Sequence, residues 1–462
     1  MSSVPDGSLM IRAAHAIAVQ ACRMVGFSYG ARVVLLVGAG DNGGDSLYAG
    51  AELCRRGVAV RALLAVPERA HAGGLAAFRR AGGQIVAQDP AKRDSVGDVD
   101  LIVDGLVGIG AKGPLRPALL PLVEFADASF APVLAVDIPS GVDPDTGAIE
   151  GPAISAAVTV CMGALKPGLL VGPGRLRSGT VHVVDIGIGP ELPEPEVRRL
   201  AADDVADIIG QKMQPGPEDD KYTRGVVGVA AGSQRYPGAA RLAVGSARLG
   251  GIGAVRYAGE CADAVAADWP DVLVSRTVTE AGRVQSWVVG PGLGDGDHAI
   301  RELDRVLAAD VPVLVDADGL NLLAGDVSRV AIRSAATVLT PHDREFARLF
   351  GEVGPDRIAA ARRAAKASDA CVLLKGYATV IADPSGRCFV NPTGVSALAT
   401  AGSGDVLSGL IGSLMATGLD PLEAAAVGAY LHGAAGSLAA EGGPVTASDL
   451  VSVLRGVVAR AS

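Results

Sequence analysis

The stretch AGSGDVLSGLIGSLMATG, residues 401–418, opens on two glycines and an aspartate and continues into an apolar run. Val406, Leu407, Leu410, Ile411, Leu414 and Met415 recur at helical spacing, which puts Gly402 and Gly404 at a helix N-terminus. Free backbone N–H groups and the helix dipole favour an anion there, and the missing side chains let phosphate oxygens reach the backbone. Asp405 would repel a phosphate. It makes sense as a base that takes a proton from a hydroxyl attacking phosphorus. As an isolated motif, an aspartate capping the helix reads equally well.

Outward from this turn, polar residues repeatedly follow short apolar runs: LLVGAGDNGGD (35–45), LIVDG (101–105), LAVDIPSG (134–141), LVDADGLN (314–321), VLTPHDREF (338–346) and VLLKGYAT (372–379). Nearly continuous Val/Leu/Ile runs between Ala-rich helical stretches are the rhythm of parallel α/β domains. Strands are expected at Arg32–Val37, Val58–Val66, Leu101–Val103, Val133–Val136 and Val181–Ile186, and again from Val226–Ala230. In open α/β sheets the carboxyl ends of strands form the ligand crevice, so these polar residues should converge on one site in each domain. Residues 189–220 are rich in Pro, Glu and Asp, with one short helix expected at Asp204–Ile209. The expected division is a domain over residues 1–205, a linker over 206–220 and a second, unrelated domain over 221–462.

Composition narrows the function. The chain has 462 residues, 49% hydrophobic and 20% charged, which excludes a mostly disordered protein. A formal charge of −9 without a basic block, and only 3% aromatics, argue against a nucleic-acid partner. The six cysteines lie far apart with no CxxC, as in reduced thiols of a cytoplasmic protein. No run reaches a membrane span; the longest, Ala153–Leu165, is interrupted by Ser155 and Thr159. The start, MSSVPDGSLMIRAAHAIAVQ, lacks the layout of a signal peptide. The expectation is a cytoplasmic enzyme with no membrane partner.

Gly38-Ala39-Gly40-Asp41-Asn42-Gly43 matches the GxGxxG pattern of dinucleotide sites. That site needs an acidic residue closing the second strand, whereas this one ends Ala65-Val66-Pro67. Taken with VDGLVGIGAKGPLRP (103–117) and VDIPSGVDPDTG (136–147), the loop resembles the NAD(P)H-hydrate epimerase domain over roughly residues 8–190. The resemblance implies a potassium site at Asn42, Asp104 and Ser140. It implies substrate contacts at Asp41, Asn42, Gly43, Gly44 and Asp45, and at Gly108, Ile109, Gly110, Ala111, Lys112, Gly113 and Pro114. Asp137, at a strand end, is the candidate acid/base, its other reading being a cap on the turn that follows. Asp41 and Ser46 stand where the family usually has Asn and Gly.

The second half is similar to the ADP-dependent NAD(P)H-hydrate dehydratases, within the ribokinase-like fold, over about residues 219–455. The resemblance rests on Lys221–Gly225, Gly232-Ser233, Tyr236–Ala240, Gly290–Gly294, Asp316–Asn321, Thr340-Pro341-His342, Lys375-Gly376 and the turn at 401–405. It implies hydrate contacts at Ala240, Gly292 and His342. It also implies an adenine-nucleotide site at Lys375, Gly376, Tyr377, Ala378, Thr379 and Gly404, with Asp405 facing the substrate. Ser403 and Arg344 replace the family's usual Thr and Gly. The alternative reading of His342 is a helix-capping histidine; His432 reads as packed against its neighbours.

Together these imply a Rossmann-like three-layer domain followed by a ribokinase-like three-layer α/β domain. The implied function is nicotinamide cofactor repair, in which R- and S-NAD(P)H hydrate are interconverted and the S form is dehydrated at the expense of ADP. ADP, Mg2+ and K+ are the implied cofactors and a homo-oligomer the implied assembly. The competing readings are a ribokinase-like small-molecule kinase, and a dehydratase carrying a non-catalytic N-terminal binding module.

Overall fold

The computed structural model describes residues 7–26, 29–86 and 97–461, so Met1–Asp6 of the N-terminal stretch read above lie outside it. The chain divides into two compact units between Glu194 and Pro195. In the first, α1 (Ser8–Val25), β1 (Arg32–Val37), α2 (Asp41–Arg55), β2 (Ala59–Leu64), α3 (Ala72–Arg80), β3 (Gln84–Val86) and β4 (Leu101–Gly105) are followed by α4 (Leu120–Asp127), β5 (Val133–Val136), β6 (Val158–Met162), α5 (Gly172–Arg177) and β7 (Thr180–Val184). The seven strands form a parallel sheet in the order β3-β2-β1-β4-β5-β6-β7. Alternate residues serve the two faces, as strand geometry requires. Val33, Leu35 and Val37 pack with Ile17, Leu47 and Phe78 of α1, α2 and α3. Val34 and Leu36 pack with Leu122 and Val123 of α4. The result is a three-layer, Rossmann-like unit whose strand order reverses between β1 and β4.

The second unit begins earlier than the composition implied. α6 (Ala202–Lys212) places Val205 and Ile209, both wholly buried, in this unit's core, so the expected boundary at 205/206 falls inside a helix and the expected linker 206–220 starts as structure. Before it, Arg198 exchanges backbone hydrogen bonds with the strand around Cys388–Val390 at 2.9 and 2.8 Å. The short helix expected at Asp204–Ile209 is present within α6, but it belongs to the second unit instead of ending the first.

There follow β8 (Val226–Ala230), α7 (Pro237–Ala247), β9 (Ala254–Ala258), α8 (Ala262–Asp268), β10 (Leu273–Ser275), β11 (Ser286–Val289), α9 (Asp297–Leu307), β12 (Val313–Val315), α10 (Asp318–Leu323), α11 (Ser328–Ala331), β13 (Thr337–Leu339) and α12 (Asp343–Phe350). The unit closes with α13 (Arg357–Ser368), β14 (Cys371–Leu374), β15 (Val380–Ala382), β16 (Cys388–Val390), α14 (Ser403–Ala416), α15 (Pro421–Ala440) and α16 (Ala447–Ala461). Its nine-stranded sheet runs β10-β9-β8-β11-β12-β13-β14-β15-β16, parallel as far as β14 and antiparallel at the last two pairings. Val288, Leu314, Val338 and Leu373 face a core shared with α7, α14 and α15.

Two glycines seat α14. A side chain on Gly409 would meet the Ala243 carbonyl of α7 at 2.0 Å, and one on Gly412 would meet Val288 of β11 at 2.0 Å. The helix therefore lies tight against helix and sheet, which fixes where its N-terminus points. Gly409→Ala gains about 1 kcal/mol of helix propensity. The clash is with backbone, though, and overpacking of this kind costs about 1–3 kcal/mol. The clash should win, with the denaturant midpoint of the second unit's unfolding falling; a rise in that midpoint contradicts the packing described.

Candidate functional site

In the first unit the predicted residues gather at the carboxyl edge of the sheet, beside the β1/β4 reversal. The DNGGD segment is the first turn of α2, with Gly40 as its N-cap, not a loop. Gly38 and Gly43 are required by closeness: side chains there would lie 1.7 Å from the Leu106 carbonyl and 2.2 Å from the Gly38 carbonyl. Ser46 is wholly buried and its hydroxyl donates to the Asn42 carbonyl at 2.6 Å, so this departure from the family pattern faces the helix's own backbone. Asp41, Asn42 and the whole of Gly108–Pro114 line a cavity of about 680 Å³ together with Arg69 and Arg116.

The three implied potassium ligands come together beside it. Wholly buried Asp104 accepts from the Ser140 N–H at 2.8 Å, the Ser140 hydroxyl at 2.7 Å and the Leu106 N–H at 3.2 Å. Burial pushes its carboxyl up to about 6 against those donors. The Asn42 amide donates to the Val107 and Val136 carbonyls at 2.9 and 2.7 Å, leaving its Oδ1 for other use. Gly43, Gly44, Asp45 and Asp137 are not among the residues lining the cavity.

Asp137 sits in left-handed backbone at φ 68°, a strained conformation for a non-glycine residue. Its carboxylate accepts from the Met162 N–H at 2.9 Å and pairs with the Lys166 ammonium at 2.5 Å. Lys166 also donates to the Met162 carbonyl at 2.7 Å. Buried Asp45 has its carboxyl raised to about 7 by burial first, then by the charges of Asp41 and Asp137. Lys166 is the residue that sequence reasoning missed. Its signal was present, since it follows an apolar run just as Lys375 does.

In the second unit the α14 turn lies as expected. Gly402 is left-handed at φ 85°, Ser403 N–H bonds the Thr400 carbonyl, and Val406 N–H starts the helical ladder to Gly402. The amides of Gly404 and Asp405, between them, are the donors that such a helix start offers an anion. A side chain on Gly404 would meet Lys375 Nζ at 3.4 Å and Asp316 Oδ2 at 3.6 Å. Lys375 is thus below the turn, paired with Asp316 at 2.7 Å and 3.8 Å from Glu345. Burial opposes its charge, but Asp316, Glu345 and Asp405 outweigh it and raise its pKa. Asp405 is pushed up to about 7 by burial and by Asp316, with Lys375 opposing.

The other implied contacts divide. Gly292 is left-handed at φ 59°, against Tyr236 and Ala239. Its neighbours Leu293 and Gly294 line a cavity of about 560 Å³ with residues 233–236, Asp318 and Asn321. Ala240 is wholly buried in the core, so its side chain does not face that cavity. His342 caps α12: its Nδ1 accepts from the Arg344 and Glu345 amides at 3.1 and 3.2 Å, while Glu345 returns a bond to the His342 N–H at 2.8 Å. Among Gly376–Thr379, Tyr377 is exposed, Ala378 is buried, and the Thr379 hydroxyl donates to the Gly376 carbonyl at 3.2 Å.

His432 is buried, as expected, but it has a partner: its Nε2 lies 3.2 Å from the Ser403 hydroxyl in the α14 turn. Burial lowers its pKa from 6.5 to about 4. As pH falls, the unfolded chain takes this proton first, so the stability contribution is complete above about pH 6.5 and is lost between about 6.5 and 4. At ~1.36 kcal/mol per unit the full loss is about 3 kcal/mol. His432→Gln should lose about 2 kcal/mol less stability between pH 7 and pH 4.5 than the wild type, by denaturant titration; equal losses contradict this assignment.

The geometry describes an α/β unit with an anion-suited helix start over a buried lysine, preceded by a Rossmann-like unit with a carboxylate-rich edge. A family model described as NAD(P)H-hydrate dehydratase matches residues 227–455, and one described as the N-terminus of YjeF-related proteins matches residues 6–168. The bifunctional NAD(P)H-hydrate repair enzyme of Mycobacterium leprae is 51% identical over 421 residues, spanning 90% of this chain and 86% of that one. Its counterpart in Corynebacterium glutamicum is 39% identical, spanning 89% and 83%. The crystal structure of an ADP/ATP-dependent NAD(P)H-hydrate dehydratase from Bacillus subtilis, co-crystallised with ATP and Mg2+, is 30% identical and matches with a TM-score of 0.52 over 58% of this chain and 99% of that chain. A ribokinase-like protein of Enterococcus faecalis, 24% identical with a TM-score of 0.52, shows the same fold. The chain belongs to the family of bifunctional NAD(P)H-hydrate repair enzymes. Among the described residues no helix is long and apolar enough to cross a membrane.

Proposed function

We propose that this chain repairs hydrated nicotinamide cofactors in two steps, interconverting the two C6 epimers in the first unit and dehydrating one of them with ADP in the second. The observation that carries the reading is Asp405 in the first turn of α14, beside an ammonium held under Gly404. The nucleotide's terminal phosphoryl rests on the Gly404 and Asp405 amides, with Lys375 facing its charge. Asp405 takes the proton of the C6 hydroxyl as its oxygen attacks phosphorus, releasing AMP. The phosphate then leaves C6, pushed by the ring-nitrogen lone pair, and loss of a C5 proton gives NAD(P)H.

Among the described residues no group of three or more His, Cys, Asp or Glu side chains is arranged to hold a metal ion. Magnesium carried on the nucleotide's phosphates would neutralise charge in the transfer. A small-molecule kinase would keep the phosphate ester; membership of a two-domain repair family favours its elimination.

In the first unit the hydroxyl departs as water and returns on the other face of a planar iminium. Asp137, oriented by Lys166, and Asp45, whose carboxyl burial raises to about 7, supply acid and base. Asn42, Asp104 and Ser140 offer the hard oxygens that potassium prefers, and a carboxylate as buried as Asp104 suits a cation.

Asp405→Asn should lower turnover about a hundredfold or more while nucleotide binding by calorimetry persists. In the wild type, kcat/KM for dehydration should fall as pH drops below about 7, since the base must be ionised. Retained turnover in the variant removes Asp405 from the mechanism. For epimerisation, exchanging potassium for tetramethylammonium should slow the wild type and leave Asp104→Asn unaffected; a wild type indifferent to the cation contradicts the potassium site.

A further inference from the structure

We propose that Asp316 is a positioning residue for phosphoryl transfer: its carboxylate holds the Lys375 ammonium beneath Gly404, so that the lysine serves the phosphoryl group and leaves Asp405 free to act as a base. The proposal rests on the reading of Asp405 and the α14 turn given above. Asp316 follows β12 directly and is 1% exposed. One carboxylate oxygen lies 2.7 Å from Lys375 Nζ, directly after β14. The other accepts from the Ser408 hydroxyl at 2.6 Å, one helical turn beyond Gly404. A single side chain thereby ties together two strand ends and the helix that carries the anion site.

The backbone around Asp316 is fixed to the same end. Its N–H donates to the Val289 carbonyl at 3.1 Å, and a side chain on Gly290 would strike its carbonyl at 2.0 Å. Ala317 is held left-handed at φ 49°, strain that persists only where surrounding structure over-determines it. That turn sends Asp316 towards Lys375 and Ser408, and Asp318 towards the Gly294 N–H at 2.9 Å.

Charge accounting shows what the arrangement accomplishes. Asp405 faces three other carboxylates, Asp316, Asp318 and Glu345, and one cation, Lys375; neutral His432 lies nearby on α15. Were the lysine to pair with Asp405, the base would be weakened and the phosphoryl group would lose its cation. Pairing with Asp316 prevents both, and the buried Asp316 charge itself keeps the proton affinity of Asp405 high.

The test is steady-state dehydration by the full-length protein, with mixed hydrate epimers, ADP and magnesium, from pH 5 to pH 9. Asp316→Asn removes a charge that repels the Asp405 carboxylate and releases Lys375 towards it; both changes favour the ionised base. The acid limb of kcat/KM should therefore move about one pH unit lower, with kcat down about tenfold. A folded Asp316→Asn whose acid limb stays in place overturns the proposal. Should that variant fail to show a cooperative thermal transition, Ser408→Ala decides: it loosens Asp316 without altering charge, so kcat should drop severalfold with the limb unmoved, and a wild-type kcat overturns the tie. Asp405→Asn separates the two readings. If it is active, the base assignment itself fails; if it is inactive while the Asp316→Asn limb stays put, only the positioning role fails.

Discussion

A helix start whose open amides suit an anion and a carboxylate in that same first turn oppose each other electrostatically, and the second unit holds both together. Gly409 and Gly412 let α14 lie against α7 and β11 closely enough to aim its open amides at one point on the sheet edge. Lys375 supplies the compensating charge from the adjoining strand end, anchored by Asp316. The half-buried carboxyl of Asp405, raised to about 7, suits the base proposed for it, whose proton affinity should match neutral pH.

The first unit meets a related problem with different parts. Asp41, Asp45 and Asp137 bring three carboxyls to one sheet edge, and Lys166 pairs with one of them. Asp137 stays anchored by the lysine and the Met162 amide, while Asp45 holds a proton near neutrality. Both units thus place a lysine just past a buried strand against one of several carboxyls, Lys166 on Asp137 and Lys375 on Asp316. The carboxyl edge of a parallel sheet is where such groups meet, because side chains there leave the core without leaving its low dielectric.

Much of this was legible in the residues because strand ends and helix starts have local signatures. The runs at Arg32–Val37 and Val133–Val136 are strands over those same residues, and the apolar spacing after Asp405 is one continuous helix. What escaped depended on contacts distant in sequence. Asp45 reads as one more acid in a glycine-rich segment until burial and Asp137, 92 positions later, raise its pKa. Ala240 carries a motif yet faces the core, which spacing cannot reveal, whereas the cap that His342 makes on α12 was one of the two readings its sequence position offered. The short helix expected at Asp204–Ile209 is there, as part of Ala202–Lys212, but the linker expected over 206–220 hid that Val205 and Ile209 bury into the second unit's core.

The most direct measurement is a crystal structure of the full chain with magnesium and an ADP analogue whose phosphates are bridged by methylene. The account predicts the terminal phosphoryl seated on the Gly404 and Asp405 amides, within ion-pair distance of Lys375, with the Asp405 carboxylate open to the space where a substrate hydroxyl would lie. A nucleotide bound with its phosphates away from that turn, or an Asp405 carboxylate folded back onto its own helix as a cap, would contradict it.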